Sequence, residues 1–81
     1  MKTFKISKTI EIECESKSSK MGFNHIARLK INGLEIRKDI IKYYNRTWEK
    51  FEYESVIVSV LAKNGFTLNE IAQIAKKCEL I

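Results

Sequence analysis

The chain has 81 residues and a formal net charge of +5, from 15 Lys and Arg against 10 Asp and Glu, with 44% hydrophobic residues. That is enough for one folded domain and too little for a second independent core. The charge favours anionic partners and disfavours acidic mimicry of nucleic acid, while two isolated thiols, Cys14 and Cys78, offer no disulfide framework.

Met1-Lys2-Thr3-Phe4-Lys5 lacks the apolar run of a signal peptide, and nothing approaches the roughly 20 apolar residues of a membrane span. A soluble protein of the cytoplasm, with no membrane partner, is the expectation. Phe4, Ile6, Ile10 and Ile12 then share one parity, with Lys5, Ser7, Thr9 and Glu11 on the other. Period-2 alternation reads as a half-buried strand over about residues 3–14, interrupted at Lys8 and continued by Cys14 on the apolar face. Glu15 to Gly22 is polar, ends in Gly, and reads as a connecting loop.

Phe23, His25, Ala27, Leu29 and Ile31 alternate up to Asn32-Gly33, and Leu34-Glu35-Ile36-Arg37 follows. Asn-Gly between alternating runs predicts a two-residue hairpin turn, because both turn positions need positive φ. The implied register sets Ile31 opposite Leu34, Lys30 opposite Glu35, Leu29 opposite Ile36 and Arg28 opposite Arg37. Two arginines directly opposed either mark an anion site or, more simply, are balanced by the neighbouring Glu35 and Asp39. Beyond Arg37 the alternation stumbles at Ile40-Ile41. Either a bulge near Lys38-Asp39 switches parity or both faces become covered, within a strand of about residues 34–46.

Tyr53, Val56, Ile57, Val60 and Leu61 recur at helical spacing, ending at Lys63-Asn64-Gly65, where Gly suits the left-handed C′ position. Thr67 and Glu70 form a capping box for a last helix, with Phe66 stapling onto Ile71 and reaching Leu61. Leu68, Ile71, Ala72 and Ala75 are expected to face inward, and Cys78, Leu80 and Ile81 close the chain. The order predicts an α+β fold: a three-stranded antiparallel sheet followed by two helices packed on one face, as a single domain. An exposed edge strand makes a homodimer through the sheet a natural partner state.

Chemistry is sparse. His25, Cys14 and Cys78 lack metal-ligand spacing, so neither a metal nor another cofactor is expected. No spacing assembles a nucleophile, a base and an orienting group. The three glycines serve turns and a cap, not a phosphate loop. Gly65 to Ala75 resembles the first half of a helix-turn-helix, but the six residues after Ala75 leave no room for a recognition helix. A protein without catalytic residues is the expectation.

The stretch from Tyr43 to Tyr53 holds five of the eight aromatic residues, including the only Trp. Lys42, Tyr43, Tyr44, Arg46, Trp48, Lys50 and Phe51 interleave cations with rings, a pattern suited to single-stranded nucleic acid. The structural alternative is favoured for Trp48 and Phe51, which would plug the core between sheet and helix, while an exposed Tyr43 or Tyr44 with Arg46 remains a contact surface. Lys42-Tyr43-Tyr44-Asn45-Arg46-Thr47-Trp48-Glu49, with Phe51, Tyr53, Ser55 and Val56, resembles a signature of small phage and prophage proteins. The resemblance covers about residues 23–64. It implies a phage accessory protein in a bacterial host cell, binding a host protein or nucleoprotein, as an anti-CRISPR-like anti-defence inhibitor would. The expected partner surface comprises Arg28, Lys30, Arg37, Lys42, Tyr43, Tyr44 and Arg46. The rival expectation is a small basic nucleic-acid binder using the same residues.

Overall fold

A four-stranded antiparallel sheet in the order β1-β2-β3-β4 carries two helices on one face. The strands are β1 (Lys2–Lys5), β2 (Ile10–Ser19), β3 (Gly22–Ile31) and β4 (Leu34–Tyr43), and the helices are α1 (Lys50–Lys63) and α2 (Leu68–Lys77). The computed structural model describes residues 1–78; Leu80 and Ile81 lie outside the described residues. The α+β class and the placement of both helices agree with the sequence reading, but the sheet has four strands rather than three.

The fourth strand comes from the first segment, which is a hairpin instead of one strand. The backbone N–H groups of Ile6 and Ser7 donate to the Ile10 carbonyl, and Ser7 Oγ accepts from the Ile10 N–H at 3.2 Å. The serine hydroxyl thus builds the turn that Lys8 interrupts. Phe4 then lies opposite Ile12, Lys5 opposite Glu11 and Lys2 opposite Cys14. Four residues are spent in the bend, so even parity survives it and the alternation conceals the break.

The polar stretch after Cys14 is also strand. Glu15 to Ser19 pair with Ile26 to Gly22, closing a tight hairpin over Lys20 and Met21. Glu15, Lys17 and Ser19 lie on the sheet face away from the helices, while Ser16 and Ser18 continue the side of Ile12 and Cys14, so the polarity does not mark irregular backbone. The Asn32-Gly33 turn forms as expected, with φ of 53° and 79°. Ile31 faces Leu34 and Lys30 faces Glu35, but the register shifts at the next step, so Leu29 faces Arg37 and Arg28 faces Lys38. Ile36 is the extra residue. The bulge therefore lies before Arg37 rather than near Lys38-Asp39, and the expected Arg28–Arg37 and Leu29–Ile36 pairs do not exist. β4 ends at Tyr43, short of Arg46.

The core lies between sheet and helices: Phe4, Ile6, Ile12, Cys14, Ala27 and Leu29 from below, Val56, Ile57, Val60, Leu61, Ile71 and Ala75 from above. α1 ends in a full Schellman motif. Phe66 N–H donates to the Leu61 carbonyl and Gly65 N–H to that of Ala62. The capping box of α2 is complete, with Glu70 N–H donating to Thr67 Oγ1 and Thr67 N–H to Glu70 Oε1. The inward face of α2 is Ile71, Ile74, Ala75 and Cys78; Leu68 and Ala72 are exposed, contrary to expectation. Leu68 is the first helical residue and shares an exposed face of α2 with Ala72. Lys77 Nζ donates to the Ile6 carbonyl at 3.3 Å, tying the end of α2 to the first hairpin.

Two glycines test this account. At Gly33 an added Cβ meets nothing within 4 Å, so Gly33→Ala should cost only the left-handed backbone term, about 1 kcal/mol. At Gly22, with φ of 139°, the same Cβ would sit 2.5 Å from the Tyr43 carbonyl oxygen. Denaturant titration should find Gly22→Ala the more destabilising of the two, because the β3–β4 pair must open to admit it.

Candidate functional site

The aromatic stretch is held from behind by a buried ionisable pair. His25, on the helix-facing side of β3, is 1% exposed, and Glu52, in the first turn of α1, is 6% exposed. His25 Nδ1 lies 2.7 Å from Glu52 Oε2, and His25 Nε2–H donates to the Asn45 carbonyl at 2.9 Å. A carbonyl only accepts, so Nε2 carries a proton; the second nitrogen shares another with the carboxylate. The remaining carboxylate oxygen, Glu52 Oε1, accepts the Glu49 N–H at 2.9 Å. One carboxylate therefore caps the start of α1 and ties it to the sheet.

Rings stack on this pair. The His25 and Trp48 centroids lie 4.6 Å apart with planes 17° from parallel, and Tyr53 stacks on the far face of Trp48 at 4.9 Å. Tyr43 packs against His25 at 5.4 Å, and Phe4 meets Tyr53 edge-on. Trp48 Nε1–H donates to the Glu15 carbonyl at 3.1 Å, so its polar edge is satisfied on β2. Trp48 thus plugs the core end as expected. Phe51 does not: it is 58% exposed, on the outer side of α1 beside Ser55 and Val58.

What this anchoring presents is the loop after β4. Tyr44 is 82% exposed, and Asn45, Arg46 and Thr47 are exposed as well. None of the four makes a side-chain hydrogen bond or ion pair among the described residues. A cleft of about 420 Å³ opens on one side of the loop, lined by Lys20, Met21, Phe23, Lys42, Tyr43 and Tyr44. Of Tyr43 and Tyr44, Tyr44 is the outward one and Tyr43 is half-buried.

The other expected contact residues are placed differently. Arg28 Nη2 lies 2.6 Å from Glu15 Oε1 and its Nε 3.1 Å from Glu35 Oε1. Lys30 pairs with Glu13 at 3.0 Å. Both cations sit on the sheet face that the helices leave open, beside the acidic row Glu11, Glu13 and Glu15 of β2. Arg37 lies on the opposite face, 3.1 Å from Asp39, which Lys63 also approaches. Lys42, Tyr43, Tyr44 and Arg46 thus come together at one end of β4, while Arg28, Lys30 and Arg37 are each matched to a carboxylate.

Burial pushes the Cys14 thiol up to about 12 and moves Cys78 upward too. Both nitrogens of His25 are engaged. Among the described residues no three His, Cys, Asp or Glu side chains form a metal-binding group, and no helix is long and apolar enough to cross a membrane. The His25–Glu52 pair escaped the sequence reading, though a signal exists. His25 is the one polar residue on the apolar parity of β3, and Glu52 precedes Val56 and Val60 by four and eight on the buried stripe of α1. Two misfit polar residues on two apolar faces suggest each other.

Searches of protein families, of curated proteins and of solved structures found no match to this chain.

Glu52→Ala removes the partner of a buried nitrogen and should cost about 3 kcal/mol. A cycle with His25→Ala, read by urea unfolding, should show the double variant losing clearly less than the sum. A pH test follows from the open sheet face. The Arg28 guanidinium, 2.6 Å away, holds the Glu15 carboxyl below its usual range. A lowered acid stabilises fully above its unfolded value, near 4.3, and loses that contribution as pH falls through the folded value. The acid side of a Tm-against-pH profile should therefore be shallower in Arg28→Ala.

Proposed function

We propose that this protein is a non-enzymatic binding module that engages another protein through the end of β4 and the loop that follows. The observation that carries the reading is a contrast in how side chains are committed. Tyr44, Asn45, Arg46 and Thr47 have no partner among the described residues, yet their backbone is fixed by the His25–Asn45 hydrogen bond and by Trp48 on either side. A backbone already held has no ordering entropy to lose on docking and leaves only the side-chain rotamers to be fixed, which is how a pre-organised contact surface gains affinity. An exposed Tyr beside an Arg also suits a protein interface, where these residues are enriched. The absence of a catalytic role is supported by the two thiols, both shifted toward the unreactive protonated form, and by the engaged imidazole.

The ion-paired state of Arg28, Lys30 and Arg37 favours a protein partner over nucleic acid, since cations already matched to carboxylates gain less from phosphates. The further step, that the partner is a host component and the protein a phage anti-defence inhibitor, rests on the resemblance of residues 42–56 to phage proteins.

Affinity capture from a bacterial host lysate, with and without nuclease, tests the reading. A nuclease-resistant partner should be retained by the native chain and lost by Tyr44→Ala/Arg46→Glu, whose Tm stays near native because both side chains are exposed. A partner held equally by both would defeat it. So would tight DNA or RNA binding whose logarithm falls steeply with log salt, which would install the nucleic-acid reading instead.

A further inference from the structure

β4 is an edge strand, so along Leu34–Tyr43 one row of backbone N–H and C=O groups faces outward with no strand beside it. The other edge, β1, is only four residues long and carries two lysines, an ordinary protection against pairing. β4 is ten residues long, and Leu34, Ile36, Ile40 and Ile41 are 68%, 54%, 53% and 41% exposed. The bulge at Ile36 breaks its regularity, leaving Arg37 to Tyr43 as a straight run. On the helix side of that run Arg37 is engaged with Asp39, Asp39 with Lys63 and Tyr43 with His25, while Ile41 is partly exposed. On the open side stand Lys38, Ile40 and Lys42, opposite Arg28, Ile26 and Asn24. Neither lysine has an ion pair among the described residues. Ile40 extends an apolar row from Ile26, which is 4% exposed.

Two self-pairings of this edge with a second copy oppose like charges. Full antiparallel overlap of residues 37 to 43 with themselves centres on Ile40 and sets Lys38 opposite Lys42 twice. Moving the centre to Asp39 opposes two aspartates. Like charges directly opposite one another disfavour both registers. The edge instead presents cation, apolar, cation at alternate positions, and that pattern has a definite complement.

We propose that the edge of β4 from Arg37 to Tyr43 accepts, as a fifth strand, an extended acidic segment of a partner protein. Its alternate residues read acidic, apolar, acidic across from Lys42, Ile40 and Lys38. This rests on the reading of the chain as a protein-binding module. Main-chain hydrogen bonds supply the attachment and the alternate side chains supply the selection. The pattern reads the same in both directions, so strand polarity does not enter. Beyond Lys42 the segment arrives at the cleft formed by Met21, Phe23, Tyr43 and Tyr44, which takes its next apolar side chain.

The probe is a blocked decapeptide with Glu-Thr-Val-Thr-Glu at its centre. Its controls are a scrambled peptide of the same composition and a version N-methylated on alternate backbone nitrogens along the pairing edge. Binding and amide exchange are followed by NMR. The decapeptide should slow exchange of the outward-facing amides between Arg37 and Tyr43. The scrambled and N-methylated peptides should bind at least about tenfold more weakly. Lys38→Glu/Lys42→Glu reverses two cross-strand pairs and should weaken binding about tenfold. A peptide with Lys-Thr-Val-Thr-Lys should restore binding to that variant, which separates a charge effect from misfolding. Equal binding of the N-methylated or scrambled peptide, protection away from β4, or no binding at millimolar peptide overturns strand addition. If the peptide fails while Tyr44→Ala/Arg46→Glu still releases the captured partner, strand addition falls and the binding-module reading stands. If that variant also retains its partner, both fall.

Discussion

The contact between Glu52 and His25 is the constraint on which the rest of the molecule depends. It joins the first turn of α1 to the middle of β3, across 27 residues of chain. Apart from the Lys63–Asp39 ion pair and the Lys77–Ile6 hydrogen bond, sheet and helices are joined by apolar packing, which is non-directional and tolerates sliding. A buried proton-sharing pair does not tolerate it, because either group left alone would be desolvated without a partner. The pair therefore sets where along the sheet α1 begins. Trp48 and Tyr53 then have one place to stack, and Leu61 and the Schellman turn fix α2 in their wake.

The two faces of the sheet solve different problems. The covered face buries Ile12, Cys14, Ala27 and Leu29 under the helices. The open face is a set of charged rows: Lys5 beside Glu11, Glu11 beside Lys30, Glu13 beside Arg28. The ion pairs made across these rows, Arg28 with Glu15 and Lys30 with Glu13, add little stability each, but they give the uncovered side a charged surface. They also consume the positive charge that composition alone assigns to a partner. A net charge of +5 remains, and part of it lies on Lys38, Lys42 and Arg46, at one edge and one end.

Much of this was legible before any coordinates, and what was not has physical causes. The Asn32-Gly33 turn, the buried stripe of α1 and the capping box at Thr67 follow from local rules that the tertiary structure does not override. The β1–β2 hairpin was hidden because a bend of even length preserves parity, and its only marks were Lys8 and the turn-forming Ser7. Strand β2 was cut short because a residue facing water on an open sheet looks, in sequence, like one facing water in a loop. The bulge at Ile36 moved the register because an edge strand is paired on one side only and yields more easily to the demands of its termini. Phe51 and Leu68 illustrate a further limit: large apolar side chains near helix starts need not be buried, since each lies on the outer face of its helix, Phe51 with Ser55 and Leu68 with Ala72. At the candidate site, the crowding of rings and cations is visible in sequence, but which cations are already matched depends on β2, whose polar far half has the composition of a loop.

The hydrogen bond from His25 to residue 45 ends on a main-chain oxygen. It is indifferent to the side chain at that position, as any residue supplies the same acceptor. His25, Trp48 and Glu52 hold this loop, and the side chains of positions 44 to 47 take no part in the holding. Sequence at those four positions can drift without disturbing the fold. The same separation makes the loop a graft site, in which a foreign tetrapeptide would inherit a backbone already set.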